Sequence, residues 1–289
     1  MTLQTLYQSG KEQLTKAELE SPAFDAFCLF THVFGMTRHE LAVRGGGEAG
    51  AAQAARYLNL TARRAAREPL QYLLGAWEFM DMSLAVGEGV LIPREDTGVL
   101  VEEGVRFLRE EGAVFSAQGQ RPVVYDLCGG SGAVAIALQK NAPHAEVYCF
   151  ELSDAAFPYL LKNISTHAPD VRPVRLDVLS ALPPSDVPAP HLILSNPPYI
   201  PTADMDILMP EVLREPREAL EGGADGMVFY RAIAEKWSGL LPKGGGVAVE
   251  IGIGQCDAVR RIFEERELSV ARVLCDWGKI ERVVSAQKI

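Results

Sequence analysis

The chain has 289 residues, 48% of them hydrophobic and 23% charged, which is a globular composition with enough apolar mass for a sizeable core. There are 28 Lys and Arg against 38 Asp and Glu, so the formal net charge is −10. An acidic chain gains little from counterion release on nucleic acid, so a general DNA or RNA coat is disfavoured and no stable nucleic-acid binding is expected.

Met1 to Glu20 shows no basic start followed by an apolar run, so no signal peptide is expected. No stretch reaches the ~18 apolar residues of a membrane span, and a cytoplasmic location is expected. Cys28, Cys128, Cys149, Cys256 and Cys275 are odd in number, far apart and without a C-x-x-C pair. They read as buried reduced thiols, and neither a disulfide framework nor a metal site is expected.

The first ~75 residues read as helical. Ser21-Pro22 is a helix start with proline at the first position, and Gly35 is its stop. Phe27, Phe30 and Phe34 follow at i, i+3 and i+7, with Phe24 one turn earlier. Gly45-Gly46-Gly47 breaks the chain, and Ala51 to Ala66 predicts another helix. Its Arg63, Arg64 and Arg67 are expected on a solvated face. Met1 to Ala85 holds 8 basic and 9 acidic residues, leaving 20 and 29 for the remainder, so the negative charge is concentrated in the second part.

From Pro122 the pattern changes. Strand-like runs at Val123–Tyr125, Val147–Phe150, Leu192–Leu194 and Val247–Val249 alternate with helix-like segments at Ala133–Lys140, Ala155–Asn163 and Phe229–Leu240. That alternation predicts βαβ units and a mostly parallel sheet. The runs are continuously apolar, as strands covered on both faces require. Ser269–Leu274 and Arg282–Ser285 are expected to form a terminal antiparallel pair. In such sheets ligands bind beyond the carboxyl ends of the strands.

The first strand leads into Asp126-Leu127-Cys128-Gly129-Gly130-Ser131-Gly132. Glycine permits positive φ and close approach of a ligand to the backbone, and the following helix adds unpaired N–H groups. No Gly-Lys-Ser/Thr follows, which excludes a P-loop. Asp126 at the strand end suits a ligand bearing positive charge. Glu151 closes the next strand and can accept both hydrogen bonds of a ribose diol. Asp177 ends the third strand region and can accept from an adenine amino group. Together these residues resemble the S-adenosylmethionine site of class I methyltransferases, with a nicotinamide dinucleotide as the rival ligand.

After the fourth strand comes Asn196-Pro197-Pro198-Tyr199. Two prolines make a rigid turn, so the carbonyl of Pro197 can point stably into a site. The Asn196 oxygen is a second acceptor and Tyr199 an aromatic face; all four residues are candidate catalytic residues. Two acceptors and a ring fit a planar NH₂ group, whether a glutamine amide, adenine N6 or guanine N2.

The chain resembles the HemK/PrmC-type protein-(glutamine-N5) methyltransferases over nearly its whole length. Glu68-Pro69-Leu70-Gln71-Tyr72-Leu73-Leu74-Gly75 and Trp77-Glu78-Phe79 resemble the family's domain junction, and Val90-Leu91-Ile92-Pro93-Arg94 the entry to its catalytic domain. Asn196 to Tyr199, Glu215-Pro216, Gly222-Gly223 with Asp225-Gly226, and Glu250-Ile251-Gly252 with Gln255 continue the match. The resemblance implies an α/β, Rossmann-like seven-stranded domain at 96–289, a linker or β-hairpin at 76–95, and a helical substrate-recognition domain at 1–75. It implies S-adenosylmethionine as cofactor and S-adenosylhomocysteine as product. Cys128, Gly129, Gly130, Ser131 and Gly132 would hold the methionine part and Glu151 the ribose. Asp177 and Val178 would lie by the adenine, with Asn196 reaching both cofactor and substrate. The implied substrate is the glutamine of the Gly-Gly-Gln motif in peptide chain release factors; a monomer is expected. The alternatives are a ribosomal-protein glutamine, a nucleic-acid base, or a non-enzymatic relic that scaffolds translation proteins. Two departures stand out. The family usually has Thr where Gly129 stands, and its Pro-Glu-Thr-Glu is here Glu95-Asp96-Thr97-Gly98.

Overall fold

The computed structural model describes residues 1–111 and 121–289. The chain divides into two compact units, Met1–Ala76 with Met209–Arg214, and Trp77–Leu208 with Glu215–Ile289.

The first unit is helical: α1 (Leu3–Lys16), α2 (Pro22–Phe34), α3 (Arg38–Arg44), α4 (Ala51–Ala65) and α5 (Leu70–Leu74). Its helix ends follow local chemistry. Thr37 and Glu40 form a reciprocal capping box at α3, and Gly35 closes α2 at φ 65° with its N–H on the Thr31 carbonyl. Tyr57 is the central plug, fully buried, with Phe30 edge-on at 5.6 Å and its hydroxyl donating to the Ala26 carbonyl at 3.3 Å. Of the phenylalanine stripe Phe30 is buried, whereas Phe24 is 49% exposed.

The arginines at and just beyond the end of α4 correct the expected solvated face. Arg64 is buried and donates to Asp25 at 2.7 Å and Glu211 at 3.0 Å. Arg67 reaches Glu211 and the carbonyls of Ala17 and Glu18, which leaves Arg63 alone near the surface, paired with Glu68. A buried guanidinium is tolerated because its donors have acceptors.

The second unit opens with a hairpin, β1 (Ala76–Phe79) and β2 (Met82–Ala85), then α6 (Gly98–Glu110). Seven strands follow: β3 (Val123–Leu127), β4 (Glu146–Glu151), β5 (Arg172–Arg175), β6 (Leu192–Ser195), β7 (Gly246–Glu250), β8 (Leu268–Cys275) and β9 (Glu281–Lys288). Their order is β5-β4-β3-β6-β7-β9-β8, parallel from β5 to β7, with β9 antiparallel to both its neighbours. Helices α7 (Ala133–Asn141), α8 (Phe157–His167), α9 (Val228–Ala232, continuing as a π turn to Trp237) and α10 (Cys256–Glu264) complete the unit. The core lies on both sheet faces. Leu192, Leu194 and Ala248 pack with α6 and α7 residues on one side, while Ile193, Val247 and Trp237 pack on the other. That two-sided burial is why these strands read as unbroken apolar runs. The cysteines are free thiols, but only Cys149 and Cys256 are buried as expected; Cys28 and Cys128 are half-buried and Cys275 is exposed at the end of β8. Among the described residues no helix is long and apolar enough to cross a membrane.

Gly10 on α1 faces Tyr57; a Cβ there would lie 2.2 Å from the Tyr57 oxygen. Gly10→Val is therefore expected to destabilise the first unit by about 1–3 kcal/mol, the usual cost of overpacking, despite removing a helical glycine. Urea unfolding followed by helix content checks this, and an unchanged midpoint would refute it.

Candidate active site

The residues that follow β3, β4, β5 and β6 share one cavity. Its walls include Cys128 and Gly130 after β3, and Glu151 to Ser153 after β4. Leu176 to Leu179 follow β5, and Asn196 and Pro198 follow β6. Gly89, Leu91, Pro216, Glu218, Ala219 and Phe229 complete it. Most of these side chains are apolar; carboxylates and one carboxamide stand among them.

The glycine loop takes its shape from three positive φ angles in five residues: Cys128 at 64°, Gly130 at 55° and Gly132 at 85°. A non-glycine residue there carries backbone strain of order 1–3 kcal/mol and persists only when its surroundings over-determine it. Here the next N–H, from Gly129, donates to the Phe150 carbonyl at 2.8 Å, and the Gly130 N–H donates to Glu151 Oε2 at 2.6 Å. A Cβ built on Gly130 would meet nothing within 4 Å, so this part of the loop presents bare backbone to the cavity.

The carboxylates are placed differently from one another. Glu151 lines the cavity and accepts from Gly130 N and, through Oε1, from Ser153 N at 2.6 Å. Burial raises its pKa, against the pull of those backbone donors. Each oxygen keeps a lone pair for a ligand diol. Asp177 also lines the cavity, but both its oxygens serve a local turn, accepting from Leu179 N at 2.9 Å and Ser180 Oγ at 2.8 Å. Asp126 is not on the wall. It lies beneath the loop, 1% exposed, and accepts from Ala135 N in the first turn of α7 at 3.0 Å and from Cys149 Sγ at 3.6 Å. Burial pushes its pKa up to about 7. The positive helix end that the sequence offers to a ligand is thus partly taken by Asp126 itself. Gly129, Ser131 and Gly132 shape the loop without lining the cavity, and Val178 lines it beside Asp177. Cys128 is a half-buried thiol on the cavity wall, and desolvation raises its pKa well above the usual range. That suits a packing role and not a nucleophile.

The tetrad leaves β6 at Ser195, whose hydroxyl donates to the Leu127 carbonyl at 2.7 Å and ties the two loops together. Asn196 and Pro198 line the cavity, and Pro197 and Tyr199 are not among its lining residues. The Asn196 Nδ2 donates to Thr97 Oγ1 at 3.2 Å. The Tyr199 carbonyl accepts from Gln255 Nε2 at 2.8 Å, and Gln255 Oε1 accepts from Gly252 N and the Tyr230 hydroxyl. Close approach explains the glycines that follow. A Cβ on Gly222 would lie 2.7 Å from the Pro198 oxygen, and one on Gly226 would lie 2.3 Å from the Tyr199 oxygen. Burial pushes Tyr199 up to about 12, so its phenol stays neutral.

Sequence reasoning missed several supports. Asn163 of α8, 1% exposed, exchanges hydrogen bonds with the Ala85 backbone and donates to the Ser131 carbonyl at 2.9 Å. Glu215 is buried, accepts from Ile92 N at 2.9 Å and pairs with Arg94. Asp96 pairs with Arg282 at 3.0 Å. The signal for Asn163 was a polar residue on an otherwise apolar helix face. Thr97, Glu215 and Gln255 stood inside the matched motifs with no role given to them. Among the described residues no group of three or more His, Cys, Asp or Glu side chains could hold a metal ion.

Residues 5–75 match the family model described as PrmC N-terminal domain, and residues 101–236 match the one described as Methyltransferase small domain. The release factor glutamine methyltransferase of Geobacter sulfurreducens is 37% identical over 287 residues, covering 99% of this chain and 96% of that protein. The protein of the same name from Caulobacter vibrioides is 33% identical over 291 residues, covering 100% and 97%. A solved methyltransferase from Pyrococcus furiosus superposes on 80% of this chain and 98% of its own at a TM-score of 0.51 and 17% identity, which is a likeness of fold. Fold and family models together define a methyltransferase of the seven-stranded, Rossmann-like class. The chain belongs to the release factor glutamine methyltransferase family, and it is an S-adenosylmethionine-dependent methyltransferase by that membership.

Two predictions follow from the loop. A Cβ on Gly129 would lie 2.1 Å from Cys149 Sγ, so the thiol fills the space a larger residue would need. Gly129→Thr alone should cost about 1–3 kcal/mol, and Cys149→Ala should recover much of it. A thermodynamic double-mutant cycle with no coupling would refute the exchange. The second concerns Asp126, whose carboxyl pKa rises from 3.8 to about 7 on folding. A raised carboxyl stabilises the fold fully at low pH, and that contribution is lost as pH climbs through the folded value. Asp126→Asn should therefore gain stability relative to wild type between pH 5 and pH 7.5, read from urea midpoints; a pH-independent difference would contradict the burial argument.

Proposed function

We propose that this protein transfers a methyl group from S-adenosylmethionine to the side-chain amide nitrogen of the glutamine in the Gly-Gly-Gln motif of peptide chain release factors. The observation that carries the reading is the placement of Asn196 and Pro198 on the cavity that also holds Glu151 and the bare backbone of Gly130. Full-length likeness to relatives of that name supports it.

The residues present fit the cofactor. Glu151 would hold the ribose diol, and Val178 and Leu179 would flank the adenine, with Asp177 setting their turn. The loop Cys128–Gly132 would receive the methionine part, with Asp126 fixing the loop from below. Bound there, S-adenosylmethionine supplies an electrophilic methyl group on a sulfonium. An amide nitrogen is a poor nucleophile because its lone pair is delocalised. The Asn196 Oδ1 and the Pro197 carbonyl would each accept one N–H of the glutamine amide and turn the nitrogen lone pair toward the methyl group. Pro198 keeps that carbonyl fixed and Tyr199 backs the plane. Orientation of this kind is worth up to roughly 7–11 kcal/mol in the best intramolecular cases, and the two acceptors stabilise positive charge growing on nitrogen. As the C–N bond formed, the methyl–sulfur bond would break to leave S-adenosylhomocysteine, and the methylated amide would shed one N–H proton to solvent. The apolar wall excludes water as a competing acceptor of the methyl group. We assign the helical unit at residues 1–75 to holding the release factor, and the reaction to a cytoplasmic monomer.

Mass spectrometry of release factor incubated with enzyme and cofactor tests this. One added methyl on the Gly-Gly-Gln peptide is expected, and its absence refutes the substrate; labelled methyl on a ribosomal protein or on nucleic acid instead would establish the alternative. Asn196→Ala should lower kcat about 100- to 1000-fold, as loss of one preorganised polar partner does. S-adenosylhomocysteine binding by calorimetry should change little, and equal loss of both would contradict the assigned role.

A further inference from the structure

Asn196 can do what is proposed for it only if its oxygen faces the substrate. A carboxamide is nearly symmetric in shape, and the rigid proline turn fixes where it stands without fixing which edge is oxygen. Something else must choose, and the contacts around Thr97 do so.

Thr97 is 3% exposed and its hydroxyl has two polar neighbours. One is Asn196 Nδ2, which donates to Thr97 Oγ1 at 3.2 Å. The other is the Glu250 carboxylate at the end of β7, near enough for the Thr97 hydroxyl, as a donor, to favour its ionised form. A hydroxyl has a single proton. While Glu250 is ionised that proton belongs to the carboxylate, so the Thr97 oxygen can only accept from Asn196. It therefore demands the NH₂ edge, and the Asn196 oxygen is left on the opposite side. Glu250 is 2% exposed, and its Oε2 has no hydrogen-bond partner among the described residues. A buried unpaired acceptor is costly and calls for an explanation. We infer that Thr97 and Glu250 are positioning residues that hold the Asn196 carboxamide in the orientation offering its oxygen to the substrate amide, an inference that rests on the methyl-transfer reading of the tetrad.

The relay carries a pH dependence. Burial pushes Glu250 up to about 7. The charged and titratable groups around it are Arg94 and Asp96 from the segment before α6, Arg282 from β9, Tyr199 of the tetrad and Tyr230 of α9. Arg94 and Arg282 favour its ionised form and Asp96 opposes it; the two tyrosines stay neutral. Once protonated, Glu250 can donate to Thr97. The Thr97 proton then turns to Asn196, and the carboxamide is favoured in the reverse orientation. Correct orientation is thus lost as pH falls through 7.

Two measurements test this on the full chain. In ¹⁵N-labelled protein the Asn196 side-chain NH₂ signals, assigned by their loss in Asn196→Ala, are expected to titrate with a midpoint near 7, and that titration is expected to vanish in Glu250→Gln. Signals that do not titrate in wild type, or that still titrate in Glu250→Gln, overturn the relay whatever the substrate proves to be. In methyl transfer to release factor, Thr97→Ser should retain most of kcat while Thr97→Val loses most of it, with S-adenosylhomocysteine affinity unchanged in both. Equal loss in the two variants would mean that packing and not the hydroxyl matters, and would overturn the assignment. No transfer by wild type alongside a titrating Asn196 amide would instead sink the substrate reading and leave the relay standing.

Discussion

The site depends on the register of one central strand. β3 pairs in parallel with β4 on one side and β6 on the other, and Leu127 stands level with Phe150 and with Ser195. The next residue on each strand is Cys128, Glu151 and Asn196. These three emerge in a row because parallel strands end in step there. The chain winds outward from β3 through β4 to β5 and then returns to β6, so the connections after β3 and β6 leave in opposite directions and open a crevice between them. A slip of one residue in either pairing would send the alternate side chain to that row. The continuous apolar burial on both faces is what forbids the slip.

Burial then does a second job. The loop after β3 is held in a strained left-handed turn at Cys128 by hydrogen bonds to the end of β4. Asp126 anchors it from below, and Asn163 ties it to β2. Every one of these anchors is a polar group removed from water. The same removal raises the pKa values of Asp126, Glu151 and Glu250. Rigidity and titration near neutrality therefore share a physical origin here, and a rearrangement that relaxed one would shift the other.

How much of this was legible depended on distance along the chain. The parallel strands from β3 to β7 showed as apolar runs because each is covered on both sides. Asn196 to Tyr199 was legible because proline geometry is covalent and needs no partner. The terminal antiparallel pair was visible as β-branched runs, now Leu268–Cys275 against Glu281–Lys288. What was not legible were partners brought from afar. Arg64 looked like a surface residue until Asp25 and Glu211, 39 and 147 positions away, were folded against it. Thr97 meets Asn196 across 99 positions, and Asn163 meets Ala85 across 78. Residue type alone also overstated how many carboxylates face a ligand. Asp126 lies beneath the loop on the Ala135 N–H and off the cavity wall, whereas Glu151 and Asp177 both line the cavity while each meets local donors.

The acidic balance changes meaning once its groups are located. Several of the carboxylates behind the second unit's formal charge are not free negative charge at the surface. Glu103 and Glu215 are buried against Arg106 and Arg94. Asp126 and Glu250 are held near half-protonation at neutral pH by burial. Glu151 is drawn in among backbone donors. The ion pairs are already neutral in a residue count, so only the partial protonation of Asp126 and Glu250 trims the field of this unit, by about one charge at neutral pH. On the proposed reading, choice among planar NH₂ groups falls to short-range geometry: two acceptors at fixed spacing, one of them a carboxamide whose facing edge a buried hydroxyl and carboxylate would set. A selector of that kind acts over a single hydrogen bond, where screening by salt has no purchase.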